Sequence, residues 1–284
     1  MGLSTTQLEA FLAVSQTLNF TLAAEKLHVT QSALSQRIIN LESELGTTLL
    51  IRDRSGIRLT EVGSSLVRYC QVKNSFEDEF ISSIRSQDKT ELSGTIRIGG
   101  FSSVTNSVIL PALSSLLKQH SNLKLQLVSK ELSDLFSLLK RGEIDYLVSD
   151  DQINREEFER ILLGVEKNVL VTSKSAADTE RFLDHDENDQ TTLQYLKKFK
   201  LPTKNLTRIY LDDFYGILEG LKLGLGKAVV PEHLIPKKEG LIVLNPSSVL
   251  EVPVYFYFYS QPFYSKLHSV VVEALKLGFK KTLN

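Results

Sequence analysis

Residues 20–45 read FTLAAEKLHVTQSALSQRIINLESEL, and the spacing predicts two helices joined by a tight turn. Leu22, Ala23, Ala24 and Leu27 give the first helix an apolar side, and the Asn19 side chain is placed to cap its start. His28 and Val29 make the turn. Thr30 caps a second helix over 31–45, whose apolar positions are Ala33, Leu34, Ile38, Leu41 and Leu45, and Gly46 stands where a left-handed C-terminal cap is wanted. The start of that helix is polar. Gln31, Ser32, Ser35, Gln36 and Arg37 carry amide, hydroxyl and guanidinium groups able to reach base edges and phosphates in a major groove. The same spacing also fits a plain helical hairpin with a solvated polar face.

Upstream, Leu8, Phe11, Leu12, Val14 and Ser15 predict a helix over 5–18, with Ser4 and Gln7 spaced like a capping box. Downstream, Leu49 to Arg52, a turn at Asp53 to Gly56 and Ile57 to Leu59 read as a two-stranded wing. Arg52, Arg54 and Arg58 lie on or beside it, where backbone phosphates would pass. Residues 1–60 therefore form one module. Residues 61–89 contain no proline, and Val62, Leu66, Tyr69, Phe76, Phe80 and Ile84 recur in steps of three, four and seven. This is a linker helix on the order of 40 Å long. So small an N-terminal domain cannot bury the helix's stripe. The better reading is a helix packed against its twin in a dimer, the alternative being a helix lying on its own neighbouring domain.

From residue 92 the texture becomes α/β. Strands at 95–99, 123–128 and 144–148 alternate with helices at 110–120 and 133–141, a rhythm that predicts a mainly parallel sheet. A second series follows at 169–172, 193–199, 207–211, 214–223 and 227–230, then an aromatic strand at 252–259 and a helix at 266–281. Two small lobes with a cleft between them fit better than one wide sheet. Lobe I is expected at about 92–163 and 262–284, lobe II at about 164–261.

Whole-chain properties narrow the function. With 284 residues, the chain has room for two or three domains. A net charge of −1 argues against indiscriminate polyanion binding but leaves a local DNA-binding patch open. No apolar run is long enough for a bilayer span, and the start MGLSTTQLEA lacks the pattern of a secretion signal. The single cysteine, Cys70, excludes an internal disulfide, and a cytoplasmic address is expected. Enzymatic signals fail. The five histidines are scattered without metal-ligand spacing, and Gly226-Lys227 lacks the rest of a phosphate loop. Gly224 and Gly226 instead allow a tight turn into the next strand. Residues 184–189, DHDEND, miss the glycine and closing glutamate of a calcium loop and read as a solvated loop. Asn19-Phe20-Thr21 and Asn205-Leu206-Thr207 match the glycosylation pattern by chance. No catalytic residue, metal or cofactor is expected.

Several segments together resemble the LysR-type transcriptional regulators. They are Phe20 to Leu27, Thr30 to Ile38, Leu41-Glu42, Gly46 to Arg52 and Leu59 to Gly63, then Gly94 to Gly99, Leu110-Pro111, Gly142 to Asp145 and Gly220 to Pro231. The resemblance covers nearly the whole chain in order. It implies a winged helix–turn–helix, a dimerising linker helix and a two-lobed α/β domain like periplasmic binding proteins. It further implies dimers or tetramers on an interrupted dyad in double-stranded DNA, a small-molecule effector between the lobes, and RNA polymerase as a partner. By position, Gln31, Ser32 and Ser35 would face bases or phosphates, and Arg52 and Arg54 the flanking backbone. Gln36, followed by Arg37, stands where the family often has arginine, and Leu50 replaces a frequent phenylalanine.

For the effector, Ser102 and Ser103 follow the first strand and open a helix, where hydroxyls and amides can hold an anion. Ser129 and Ser149 end the next two strands, where open α/β sheets place ligands. Each serine also fits a plain cap or turn, and the resemblance supports Ser102 and Ser103 more than Ser149. Asp150 and Asp151 would suit a cationic effector, or are simply solvated. The expected function is a ligand-responsive DNA-binding regulator without catalysis. The alternatives are a solute-binding module whose N-terminal part makes protein contacts only, and a small-molecule enzyme on the lobes.

Overall fold

The computed structural model describes residues 2–54, 56–85, 91–130, 132–174, 180–203, 206–236 and 240–283. Asn205, part of one glycosylation pattern, and the end of the 61–89 stretch lie outside them. The N-terminal module is α1 (Thr5–Thr17), α2 (Phe20–Lys26) and α3 (Gln31–Leu45), followed by the hairpin β1 (Leu50–Asp53) and β2 (Gly56–Leu59). Its helices start and stop on local hydrogen bonds. Asn19 Oδ1 accepts from the amides of Thr21 at 2.8 Å and Leu22 at 3.1 Å, Thr30 Oγ1 accepts from Ala33 N at 3.2 Å, and Gly46 closes α3 at φ 62°. The capping box at Ser4 and Gln7 does not form. The Ser4 hydroxyl bonds that of Thr6, Gln7 Oε1 makes no hydrogen bond, and the first amides fall back on the Ser4 carbonyl.

Leu34, Ile38 and Leu41 turn one stripe of α3 into a core with Phe11, Val14 and Ala23, all fully buried. Helix α4 (Glu61–Arg85) closes this core with Leu66, Val67 and Cys70. Its start is fastened to the wing. Thr60 Oγ1 donates to Thr48 O at 2.9 Å and accepts from Gly63 N at 2.9 Å, and a β-carbon on Gly63 would collide with the Leu49 carbonyl. Farther along α4, Tyr69, Phe76, Phe80, Ile81 and Ile84 are exposed.

The remaining strands are β3 (Gly94–Gly100), β4 (Leu123–Ser129), β5 (Tyr146–Ser149), β6 (Phe158–Ser173), β7 (Arg181–Asp184), β8 (Thr207–Tyr210), β9 (Lys227–Pro231), β10 (Leu241–Leu244) and β11 (Leu250–Tyr259). They form one ladder in the order β4-β3-β5-β11-β6-β9-β7-β8, with β10 also on β6. The expectation of a mainly parallel sheet needs correction. β3 runs parallel to β4 and β5, and β7 to β8 and β9, but β6 and β11 are antiparallel to each other and to their outer neighbours. These two long strands cross from one lobe to the other, so the lobes share one continuous sheet. The β11–β6 register shifts between Val254 and Tyr255, opposite Gly164 and Leu162. Tyr255–Tyr257 pair with β5, so this half of β11 belongs to the first lobe's ladder although it falls inside the stretch 164–261.

Helices cover both faces. In lobe I, a helical run comprises α5 (Ser102–Val104), a π turn (Thr105–Ile109) and α6 (Leu110–Gln119). The π turn sits just before Pro111, which has no N–H to continue the α-helical ladder. With α10 (Lys266–Leu283), this run packs around Ile96, Ile98, Phe256 and Phe279, while α7 (Leu132–Lys140) covers the other face through Leu135 and Leu139. In lobe II, β9 sends Ala228 and Val230 toward α9 (Phe214–Lys222) and Val229 toward α8 (Thr191–Lys198), the strand period of two. Gly224 turns the chain at φ 72°, and Gly226 lies against the Arg181 carbonyl, where a β-carbon would come within 2.9 Å.

Candidate DNA interface and inter-lobe cleft

Burial of Leu34, Ile38 and Leu41 forces the opposite side of α3 outward. Ser32, Ser35, Gln36 and Ile39 share that side, with Gln31 at the helix start. Gln31, Ser32 and Gln36 are exposed and Ser35 is half-buried. Ser32 Oγ lies 3.1 Å from Thr30 Oγ1, and Gln36 Nε2 donates to Asn40 Oδ1 at 2.9 Å, which orients its amide along the helix. Arg37 is half-buried beside the apolar stripe, at the flank of the row.

Arg52, Arg54 and Arg58 are exposed on the wing. The Arg52 guanidinium lies 3.8 Å from the centroid of the Phe20 ring, so the ring holds the cation while its outer edge stays open. Arg58 meets Asp53 across the hairpin at 3.4 Å, an exposed pair worth little by itself. A residue given no role from sequence joins the wing to α3. Glu42 Oε1 accepts from the amides of Leu49 at 2.7 Å and Leu50 at 3.2 Å, charge-assisted bonds that fix where the hairpin starts.

The second site follows from strand direction. β3, β4 and β5 end at Gly100, Ser129 and Ser149, and Ser149 pairs with Tyr255 at the register shift. β9 ends at Pro231 opposite Asn168, and the parallel β7 and β8 end on the same side at Asp184 and Tyr210. The carboxyl ends of both parallel sets thus face each other across the crossing strands, where α/β sheets bind ligands.

Glu166 sits on the crossing strand at 5% exposure. Its Oε1 accepts from Ser103 Oγ at 2.9 Å and lies 3.9 Å from His233 Nε2, and Asn168 hydrogen-bonds its carboxyl. His233 comes from the single turn after β9, so it reaches lobe I from lobe II, with Nε2 3.0 Å from Ser107 Oγ. Burial pushes the Glu166 carboxyl up to about 7, and the charge of Asp150 adds to it against the bond from Ser103. Burial also pushes His233 below its ordinary value.

The predicted serines therefore divide. Ser103 is buried and its hydroxyl is committed to Glu166, with Ser102 half-buried beside it. Ser129 is exposed and donates to the Gly100 carbonyl at 3.2 Å, while buried Ser149 accepts from Asp151 N at 3.0 Å. Those two hydroxyls serve strand ends and turns. Glu166, Asn168 and His233 escaped the sequence reading. Glu166 and Asn168 lie two apart within LLGVEKNVLV, on one strand face, which is the available signal of buried polar groups.

The 184–189 stretch is not a merely solvated loop. Asp184 is buried, accepts from Thr192 Oγ1 and pairs with Arg208, whose Nη2 also donates to Asp189 O at 2.6 Å. Asp186 and Asp189 accept backbone amides within the turn. A cavity of about 330 Å³ lies elsewhere, between α1, the middle of α4, β3 and the segment leading into α10; Gln16, Gln71, Arg97 and Asp145 line it. No helix among the described residues is long and apolar enough to cross a membrane.

A winged helix–turn–helix joined by a long helix to a two-lobed domain defines a class in which one part contacts DNA and another receives a ligand. Comparison makes the family explicit. Residues 5–64 match the model of the bacterial regulatory helix–turn–helix protein, lysR family, and residues 89–279 match the LysR substrate binding domain. The chain belongs to the LysR family. It is 36% identical over 163 residues to the HTH-type transcriptional regulator HdfR of Yersinia pestis (strain Pestoides F) and of Yersinia pseudotuberculosis serotype O:1b, covering 57% of this chain and 54% of each relative. The match thus spans about half the length of those relatives. Among solved structures, ArgP from Mycobacterium tuberculosis is similar at a TM-score of 0.76 and 21% identity, covering 98% of both chains. Full-length LysG from Corynebacterium glutamicum with bound effector Arg gives 0.76 and 19%, covering 99% of both. These two show the fold.

Proposed function

We propose that this protein is a transcriptional regulator that binds double-stranded DNA as a homodimer or homotetramer and answers to a small molecule held between its lobes. The observation that carries the reading is the outward polar row of α3, Gln31, Ser32, Ser35 and Gln36, flanked by Arg52, Arg54 and Arg58 on the wing. Amides and hydroxyls read base edges, and guanidiniums on either side hold phosphates. Arg37, at the flank, belongs with the phosphate contacts. Pairing along α4 is supported by Val62, Tyr69 and Phe76 at seven-residue spacing, all exposed, with Phe80 and Ile84 continuing the stripe. A second copy of the chain is its occupant. The operator is an interrupted dyad near a promoter, the setting is cytoplasmic, and RNA polymerase is the onward partner. The protein is not an enzyme.

Ser102 and Ser103 line the lobe I side of the proposed effector site, Ser103 through Glu166, and Ser129 and Ser149 shape its rim by holding the neighbouring strand ends. Thiol-based peroxide sensing is disfavoured: Cys70 is the only cysteine, it is buried in the N-terminal core, and burial pushes its thiol up to about 11. The test is binding to DNA upstream of its own gene against scrambled DNA at two salt concentrations. A preference that survives the higher salt supports the reading. Folded, dimeric protein that binds no DNA overturns it in favour of a solute-binding module.

A further inference from the structure

The strand ends that meet across the cleft carry charge of one sign. Lobe I presents Asp150 and Asp151, lobe II presents Asp189 and Glu232, and Glu166 lies between them on the crossing strand. The basic side chains at these ends are Lys130 and Arg208, and Arg208 is paired with Asp184 and also acts on Asp189. Among the described residues, no lysine or arginine forms an ion pair with Glu166, Asp150, Asp151 or Asp189. Buried charges in folded proteins are ordinarily paired. Here the groups around Glu166 are a hydroxyl, an amide and a histidine held neutral by burial. The two acidic rims also act on each other: the Asp150 carboxyl is pushed upward by burial first, then by the charges of Asp151 and Asp189.

We propose that the effector is a small organic cation, an ammonium or guanidinium compound, whose charged head lies between Glu166 and Asp150. This assignment rests on the effector reading above and names the chemical class for that same site. A cation there supplies the counter-charge that no side chain provides, and releases to solvent the proton that Glu166 otherwise retains up to about pH 7. It also draws Asp150 of lobe I and Asp189 of lobe II toward a common partner, which favours the closed cleft in which His233 reaches Ser107. An anionic effector would face the Glu166 and Asp150 carboxyls with Lys130 at the rim, a less favourable arrangement by simple electrostatics.

The test uses the full-length protein and three charge classes of probe: arginine, agmatine and putrescine as cations, citrulline as the neutral isostere of arginine, and glutamate and benzoate as anions. Thermal unfolding and calorimetric titration read binding. At least one cation is expected to raise the unfolding temperature in proportion to its concentration, and citrulline to bind at least tenfold more weakly than arginine. Glu166→Gln is expected to weaken the cation at least tenfold. Asp150→Asn, which keeps the side chain's size and removes its charge, is expected to weaken it several-fold. Citrulline binding as tightly as arginine, or full cation affinity in both variants, overturns the assignment. Binding of an anion in place of every cation overturns it too but leaves the effector reading standing. If no class of compound stabilises the protein or alters its grip on DNA, both fall together.

Discussion

Replacing Arg52 by alanine separates a phosphate contact from a base contact. The guanidinium rests on the Phe20 ring at 3.8 Å and is otherwise exposed. Its loss removes an exposed cation–π contact worth about 0.5–1 kcal/mol, so the module stays folded. Each cation that neutralises a phosphate contributes about 0.9 to the slope of log affinity against log salt concentration. A dimer carries two copies, so Arg52→Ala is expected to flatten the slope by about 1.8. Between about 50 and 200 mM salt, the unmodified protein then loses roughly ten times more affinity than the variant. The loss at low salt falls equally on the native operator and on random DNA. Arg52→Lys, which keeps the charge without the planar stack, recovers the slope but only part of the affinity. Fluorescence anisotropy across a salt series reads all of this. An unchanged slope refutes the phosphate role, and a loss confined to the operator shows that Arg52 reads bases.

Leu34→Ala empties a fully buried site between α1 and α3 and is expected to cost about 2–5 kcal/mol in chemical denaturation; a loss under about 1 kcal/mol means the site collapses without a cavity. Phe80→Asp, on the exposed stripe of α4, is expected to give monomers by sedimentation while the fold persists; intact dimers would place the interface elsewhere. The Glu166 carboxyl, facing Ser103, Asn168, His233 and Asp150, is raised from 4.5 to about 7. The folded protein therefore keeps a proton that the unfolded chain has lost, and stability falls as pH rises from about 4.5 through 7, by roughly 3 kcal/mol from this group. Glu166→Gln lacks that decline, so its stability relative to the unmodified protein grows between pH 5 and 8; parallel curves rule the proton out. Asp145, raised by burial to about 6, acts in the same direction, and His268, lowered by burial to about 4, in the opposite one; both persist in the variant.

The N-terminal module was legible because its signals are local. Asn19, Thr30 and Gly46 act on amides and carbonyls within a few residues, and the stripe of Leu34, Ile38 and Leu41 needs only helical spacing. The crossing strands were not. Residues 158–168 and 241–244 went unassigned as strands, and β11 finds β6 about ninety residues earlier in the chain, a pairing that no local pattern encodes. Strand direction is equally non-local, which is why a mainly parallel sheet was expected. Glu166 was missed for the same reason. In sequence it resembles any solvated glutamate beside Lys167, and only the pairing of β6 with β9 and β11 turns it into the cleft. Asp184 erred in the opposite direction, since its buried partner Arg208 lies on another strand.

Thr60 and Gly63 fasten the wing to the first turn of α4, so the wing and the start of that helix are held as one piece. If two chains pair along this helix as proposed, they form a caliper whose jaw spacing is set by the protein. Sliding one half-site by about 5 bp, half a turn of the duplex, is then expected to present it on the wrong face and weaken binding.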